Sequence, residues 1–349
     1  SVTVLTAGPT AWLRTGLVLG RSRQGDGSAV VGDPCVVWDP DAGAWRMVLF
    51  FDPPGHADAV SPDPTGAPGT WSAPHPLAWT NPDALPPGGG THKPFIVTDA
   101  HHPNQAAKVD GRYWLVTVSF TGDARDKHVQ RAWATSLAGP WTLEAGALIP
   151  PGGPGDFDEL HTDAVSGYWF ADRGEFLYFY MGYPRAPQPW PHSPYGSAIG
   201  AATQRPGRPA VKVGAVLPPS PEPRSWASGW LGGLQLLPGR DHRWVGVVNA
   251  SPTPPDRSGG LTSEEPPPSL GGLAFSDAEF PAAGWTLAAQ PFERIEALSP
   301  EALTDGEGVN LWRHHVLVTP AATRLFYNSG PYGQEQLFSK TLVGAQPWA

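Results

Sequence analysis

The sequence predicts an all-β protein, a five-bladed β-propeller with four-stranded blades, and two observations lead to this fold class. The first is composition: 42 Gly and 43 Pro stand beside 40% hydrophobic residues and 16 Trp in a chain of 349 residues. Glycine and proline collect where a chain reverses, so this composition indicates many short strands joined by turns. The second is a hairpin with an aromatic second strand that recurs five times, at intervals of roughly 60 to 85 residues.

Each predicted hairpin consists of a polar residue, an apolar run, a turn and an aromatic strand. The five hairpins span residues 33–51, 102–118, 163–181, 229–248 and 312–327. Third and fourth strands follow at 132–136 and 139–143, at 200–203 and 210–213, and at 273–276 and 284–287. The last unit has 336–342 as its third strand, and the N-terminal segment 2–5 is the candidate for the outer strand that closes the ring.

These repeats predict that residues 1–349 form a single propeller domain. The alternative is a pair of β-sandwich domains, which would not need the same aromatic hairpin five times. Long helical periodicity is absent from the sequence. The proline-rich stretches at 218–223 and 263–269 are therefore interpreted as surface loops and not as domain boundaries.

Charge, apolar runs and cysteine content argue against several kinds of partner and site. The formal net charge is -9, and no stripe of Lys and Arg is present to neutralise phosphates, which argues against nucleic acid. No apolar run approaches 18 residues, so we expect no membrane partner. Cys35 is the single cysteine and lies in an apolar run, which indicates a buried structural thiol. The chain begins at Ser1, which leaves a removed signal peptide or tag open, and a secreted protein is slightly favoured over a cytoplasmic one.

The candidate site lies where the innermost strands of a propeller converge on a central channel. The repeat alignment places Asp33, His102, Asp163 and His314 at equivalent positions, with Asp99 just before His102. The acidic stretch 156–161 is predicted to hang over the same channel mouth. Candidate substrate-binding residues are Lys93, Asp99, His102, His161, Trp230, Arg313 and His314. Paired carboxylates across a pocket suit glycosidic bond cleavage, in which one donates a proton and the other activates water or attacks carbon.

Three motifs carry a resemblance to a known group of enzymes. They are the Gly-Asp-Pro of residues 32–34, the Asp-Gly-Arg-Tyr-Trp-Leu of 110–115 and the Ala-Thr-Ser-Leu-Ala-Gly-Pro-Trp of 134–141. Together they resemble the five-bladed glycoside hydrolases of the arabinanase, xylosidase and invertase type. The resemblance implies a carbohydrate substrate and a catalytic Asp that opens the first blade, a place that Asp33 matches. It also implies a Glu acid in the third blade, for which Glu159 is the candidate, with Asp163 as its competitor.

The resemblance implies no required cofactor, although a structural calcium on the propeller axis would suit it. Two other functions stay open. A non-hydrolytic carbohydrate-binding propeller is one, because the resemblance implies an Asp in the second blade and the second repeat offers His102 at its lead, with Asp99 three residues earlier. A phosphorylase-like transferase is the other, in which Arg313, His314 and Lys93 would hold phosphate. Asn328 and Glu335 are interpreted as structural or rim residues.

Overall fold

The protein is a five-bladed β-propeller in the computed structural model, which describes residues 12–21, 30–51, 55–64, 69–85, 90–120, 127–252, 269–292, 300–308, 312–331 and 333–342. Five sheets, each built on antiparallel strands, surround a central channel, and the predicted all-β class and blade number are confirmed. A short helix, α1 (Pro300–Thr304), and one 3-10 turn, Pro82–Ala84, are the helical elements among these residues. No helix in these ranges has both the length and the apolar character needed to cross a bilayer.

The first three blades follow one another along the chain. From the channel outward, the first contains β2 (Val31–Asp39), β3 (Ala44–Phe51), β4 (Gly55–Ser61) and β5 (His75–Pro76). The second contains β6 (Gly90–Ile96), β9 (Arg112–Phe120), β10 (His128–Ala134) and β11 (Thr142–Leu143), with β8 (Lys108–Val109) paired to β9. The third contains β12 (His161–Phe170), β13 (Glu175–Tyr183), β14 (Ala198–Gln204) and β15 (Val211–Leu217), with the short strand β7 (Thr98–Asp99) beside β12.

The last two blades complete the ring. The fourth contains β16 (Trp230–Pro238), β17 (Trp244–Ser251), β18 (Leu270–Ser276) and β19 (Thr286–Leu287). The fifth contains β20 (Trp312–Val318), β21 (Thr323–Ser329), β22 (Gln336–Leu342) and, as its outer strand, β1 (Trp12–Leu19). β1 pairs with β22 in antiparallel register. The segment 2–5, which the sequence suggested for this outer position, lies outside the described residues.

The second blade differs from the repeat predicted for it. Its innermost strand is β6, whereas the predicted lead residue His102 lies in the loop between β7 and β8. The Asp110-Gly111 turn does form a tight hairpin, because Lys108 pairs with Tyr113 and Val109 with Arg112. That hairpin is an addition at the start of β9. A two-residue turn in the sequence predicts a hairpin. It does not show whether that hairpin is the innermost pair of a blade or, as here, an additional one.

The core lies between adjacent blades, which stack face to face and bury both surfaces of most strands. The largest fully buried side chains are aromatic, among them Trp141, Trp244, Tyr168 and Phe176. This burial explains why the strands are continuous apolar runs and not alternating ones. The thiol of Cys35 is fully buried on β2, and this burial raises its pKa to about 12. The prediction of a buried structural thiol is therefore confirmed.

Candidate active site at the channel mouth

The innermost strands share a bulge at one end of the channel, which we call the channel mouth. The pairing register shifts at residues 32–35 in β2, 92–95 in β6, 163–166 in β12, 231–233 in β16 and 312–315 in β20. Four bulges hold a non-glycine residue at positive φ: Asp33 (53°), Lys93 (54°), Ala164 (46°) and Arg313 (37°). Such backbone is disfavoured for residues with a Cβ and concentrates at functional sites. The bulges therefore mark the channel mouth as the candidate site.

Asp33 is held at the channel mouth by Asn328 of β21. The backbone N–H of Asp33 donates to Oδ1 of Asn328 at 2.8 Å, and Nδ2 of Asn328 donates to the Asp33 carboxylate at 3.1 Å. Asn328 fits because residue 32 is glycine, since a Cβ at that position would overlap the Asn328 amide group. Asp33 is 6% exposed, and its Oδ1 lies 3.8 Å from Nε of Arg313. The guanidinium and the amide both stabilise a negative charge on this carboxylate.

Asp163 of β12 is a fully buried carboxylate surrounded by cations. Its Oδ1 lies 2.6 Å from Nζ of Lys93, and its Oδ2 lies 3.3 Å from Nζ of Lys127. The backbone N–H of Ala164 donates to Oδ1 at 2.6 Å, and Nε2 of His92 lies 3.9 Å away. Burial opposes ionisation, but the charges of Lys127 and Lys93 outweigh it and hold the pKa of Asp163 well below its usual range. Asp163 is therefore an ionised partner for the lysines and a poor proton donor.

The ammonium of Lys93 interacts electrostatically with both Asp163 and Asp33. The pKa of Lys93 is lowered overall, because burial and the positive charges of Lys127 and Arg313 outweigh the negative charges of Asp163 and Asp33. The adjacent His92 is neutral near pH 7, because burial and the positive charge of Lys93 hold the pKa of His92 well below its usual value. Asp33, Lys93, Asp163 and Arg313, all named from the sequence, are thus brought together at one mouth.

Glu335, in the loop before β22, is the carboxyl that the sequence did not place at the site. Burial raises its pKa to about 7, and the negative charge of Asp33 adds to this effect. Oε2 of Glu335 has no hydrogen-bond partner among the residues described here, and the residue is 8% exposed. Its backbone carbonyl accepts from the N–H of Val31, which ties the loop to the first strand of the site. Glu335 is therefore a carboxyl that keeps its proton to higher pH than usual, within electrostatic reach of Asp33.

Below the mouth, the channel narrows to a cavity of about 30 Å³, large enough for a water. Its polar lining includes Ser166, Gln235, Asn249, Arg313, His314 and His315. Burial lowers the pKa of both histidines to about 3, so they are neutral at ordinary pH. His314 thus lines this cavity as a neutral imidazole.

The channel residues do not fit the structural calcium that would suit the resemblance. Calcium takes six to eight oxygen ligands, and the guanidinium of Arg313 would oppose a cation in this cavity. In the described ranges, no three or more His, Cys, Asp or Glu side chains are grouped so as to hold a metal ion.

The acidic loop that precedes β12 is anchored by one of its own acids. Asp158 is 1% exposed, accepts from the hydroxyl of Tyr180 at 2.8 Å and pairs with Nζ of Lys212 at 2.7 Å. Glu159, the acid suggested by the resemblance, accepts from the N–H of Gly155 at 2.9 Å and lies 3.4 Å from Nε of Arg185. Glu159 is therefore engaged within the loop above the third blade.

Asp99 and His102 lie at the other end of the channel. Asp99 pairs with Trp169 near the end of β12, and its carboxylate accepts from the backbone N–H of His101 at 2.9 Å. The side chain of His102 is 64% exposed and contacts Asp99 at 3.0 Å. Their predicted place beside Asp33 is wrong, because the innermost strand of the second blade is β6.

His161 and Trp230 lie near Asp163, on the third and fourth blades. His161 begins β12, where its Nδ1 accepts from the backbone N–H of Lys127 at 3.4 Å. Trp230 is 4% exposed and packs with Ala164 and Met181. Trp230 therefore forms part of the wall beside the mouth and offers little surface to a ligand.

Sequence reasoning missed Lys127, His92 and Glu335 as members of this site. His92 and Lys93 precede Pro94 as Asp33 precedes Pro34, and this shared dipeptide pattern before a strand was the available signal. Lys127 and Glu335 carry no such signal, because both lie in loops whose burial depends on distant strands. The fold, and not local sequence, brings them to Asp163 and Asp33.

Comparison with known proteins identifies the fold. No protein-family model matches the chain, and no curated protein matches its sequence. The solved structure of a glycoside hydrolase matches with a TM-score of 0.63 and 14% identity, over 96% of this chain and 95% of that one. A thermostable family-43 glycoside hydrolase matches with a TM-score of 0.59 and 13% identity, over 94% of each chain. The catalytic domain of a Coprinopsis cinerea GH62 α-L-arabinofuranosidase matches with a TM-score of 0.57 and 12% identity, over 96% of this chain and 98% of that one.

At identities this low, the likeness shows a shared fold. The chain has the fold of five-bladed propeller glycoside hydrolases, which confirms the resemblance drawn from its motifs.

Proposed function

We propose that the protein is a glycoside hydrolase that cleaves a furanoside or a related glycoside at the channel mouth. The observation that carries this proposal is the pair formed by Asp33 and Glu335. Arg313 and Asn328 stabilise the charge of Asp33, while burial raises the pKa of Glu335 to about 7. Glycosidic bond cleavage needs one carboxyl that can donate a proton and a second carboxylate that acts as base or nucleophile.

Asp33 acts as the base or nucleophile in this proposal. Its carboxylate either takes a proton from the attacking water or bonds to the anomeric carbon, depending on its separation from the acid. Glu335 gives its proton to the leaving oxygen as the glycosidic bond breaks. Asp163 remains ionised between Lys93 and Lys127 and positions them. Glu159 is the competing acid, since the family resemblance implies a Glu before the third blade.

The test is a screen of aryl glycofuranosides and glycopyranosides against the wild type and Asp33→Asn. We expect Asp33→Asn to lower kcat/KM by at least about 100-fold, in line with general acid–base catalysis, while the exposed-turn control Asp172→Asn has no effect. Turnover by Asp33→Asn equal to that of the wild type would refute the assignment of Asp33.

Leaving-group dependence identifies the acid. A dinitrophenyl group departs without protonation, whereas an alkyl alcohol needs a proton, so loss of the acid slows only the second substrate strongly. We expect this pattern in Glu335→Gln and not in Glu159→Gln. The reverse result would assign the acid to Glu159, and neither variant showing it would exclude both.

A phosphorylase-like transferase is the second candidate, because Lys93 and Arg313 bring two cations beside Asp33. Turnover that requires added inorganic phosphate would favour it. Sugar binding without turnover of any aryl glycoside would instead favour the non-hydrolytic carbohydrate-binding propeller.

A further inference from the structure

We propose that the sugar bound at the channel mouth carries a carboxylate, as a uronic acid residue does, and that Arg313 and Lys93 bind this group. The inference rests on the proposed function for the identity of the ligand as a glycoside. Its basis in the structure is the arrangement of cations around Asp33.

The positions of these cations follow from the propeller ring. Arg313, Asp33 and Lys93 occupy the equivalent bulges of the fifth, first and second blades, which are consecutive around the channel. Asp33 is therefore flanked by a cation on each side. A sugar that presents its anomeric carbon to Asp33 places its ring substituents within the field of Arg313 and Lys93.

Arg313 has hydrogen-bonding capacity that the described residues do not use. Its Nε is buried without a hydrogen-bond partner among them, and the 3.8 Å to Asp33 Oδ1 is too long for a hydrogen bond. A guanidinium keeps its charge in proteins and offers five N–H donors in a planar fork that matches a carboxylate. Residue 233 is glycine, and a Cβ there would lie 3.0 Å from Nη1 of Arg313. A side chain at this position would therefore crowd the guanidinium, which packs closely against Gly233.

Lys93 supplies the second cation. Its side chain is 17% exposed, and its ammonium donates to Asp163 at 2.6 Å. An ammonium has three N–H donors, so one contact to Asp163 leaves donors for a ligand. Asp163 also pairs with Lys127, so it does not depend on Lys93 alone for its compensating charge.

Holding cations in a partly buried site has a desolvation cost that a neutral sugar does not offset. An anionic substituent on the ligand would offset it with charge-assisted hydrogen bonds, which are roughly twice as strong as neutral ones. The two cations, which lie on either side of Asp33, would offset the repulsion between the anionic substituent and that carboxylate. A carboxylate-bearing sugar therefore fits this mouth better than its neutral counterpart.

The experiment compares matched aryl glycosides that differ only in one substituent: glucuronides against glucosides, galacturonides against galactosides, in both anomeric forms, and the methyl esters of the uronides. We expect the wild type to favour a uronide over its neutral counterpart by at least about tenfold in kcat/KM, since hydrogen bonds to charged groups contribute about 1.5–3 kcal/mol. Arg313→Gln should reduce this preference about 10- to 100-fold. The exposed-residue control Arg205→Gln should leave it unchanged.

Binding provides a readout that does not depend on turnover. Calorimetry with free glucuronate, galacturonate, glucose and galactose on Asp33→Asn should show binding of a uronate in preference to its neutral sugar. Adding Arg313→Gln to this variant should reduce the preference. If uronates bind in this way but no glycoside is hydrolysed, the inference stands and the proposed hydrolase function fails. Preference for neutral sugars, equal binding of both or binding of neither overturns the inference, as does a turnover that requires inorganic phosphate.

Discussion

Replacing Gly32 by alanine should displace Asn328 and release Asp33. The added Cβ would overlap the Asn328 amide, so its two hydrogen bonds to Asp33, of 2.8 and 3.1 Å, cannot both persist. One is a neutral bond and the other involves a carboxylate, which together amount to about 2–4 kcal/mol. Alanine recovers about 0.4–1 kcal/mol by restricting the unfolded chain. We therefore expect the free energy of unfolding to fall by about 1–3.6 kcal/mol.

A double-mutant cycle measured by urea denaturation tests this reasoning. Asn328→Ala alone removes the same two hydrogen bonds, and in the double variant the new Cβ at position 32 no longer overlaps an amide. The double variant should therefore be about as stable as Asn328→Ala, with a coupling energy of about 2 kcal/mol. Gly153→Ala is the matched control, because a Cβ there meets its nearest atom at 3.6 Å. Additive losses in the double variant would refute the overlap as the cause.

Three further predictions concern charged groups. Because the pKa of Glu335 is raised from 4.5 to about 7, its contribution to stability is complete below pH 4.5 and is lost as the pH rises to about 7. The difference in unfolding free energy between the wild type and Glu335→Gln should change by about 3 kcal/mol over that interval, and a pH-independent difference would contradict it. Lys93→Met removes one of the two ammonium groups that contact the buried Asp163 carboxylate. We expect the free energy of unfolding, measured by thermal or urea denaturation, to fall by about 1–3 kcal/mol. An unchanged stability would argue against the ion pair. Asp158→Asn weakens the pairing with Lys212, so we expect faster proteolytic cleavage within the loop at 152–160. Cleavage at the wild-type rate would show that this contact does not anchor the loop.

The sequence predicted the propeller because its hairpins are local. The Asp33, Asp163 and Arg313 hairpins each combine an apolar run, a short turn and an aromatic strand, and the structure contains all three as innermost pairs. The second blade was misplaced because β6 and β9 are joined by a long connection that contains a tighter hairpin of its own. Turn residues predict which segments close in sequence form a hairpin. Whether a strand lines the channel depends on how the blades pack together.

The candidate site was predictable only in part for the same reason. Asp33 and Arg313 are the lead residues of recognisable repeats, and their neighbours could be inferred by alignment. Glu335 lies in a polar loop, and its raised pKa follows from burial against distant strands. The preference for Glu159 came from residue type, yet Gly155 and Arg185 hold that side chain within its loop.

The loop at 99–105 has a consequence for how the ring unfolds. The loop belongs to the second blade, and the carbonyl of Asn104 accepts from the N–H of Trp38 in the first. Nδ2 of Asn104 donates to the carbonyl of Val318 in the fifth at 2.5 Å. The N–H of Ala100 donates to the carbonyl of Trp169 in the third. One connector thus braces the inner strands of three other blades, so no one of these blades can detach without breaking it, and we expect them to melt as one cooperative unit.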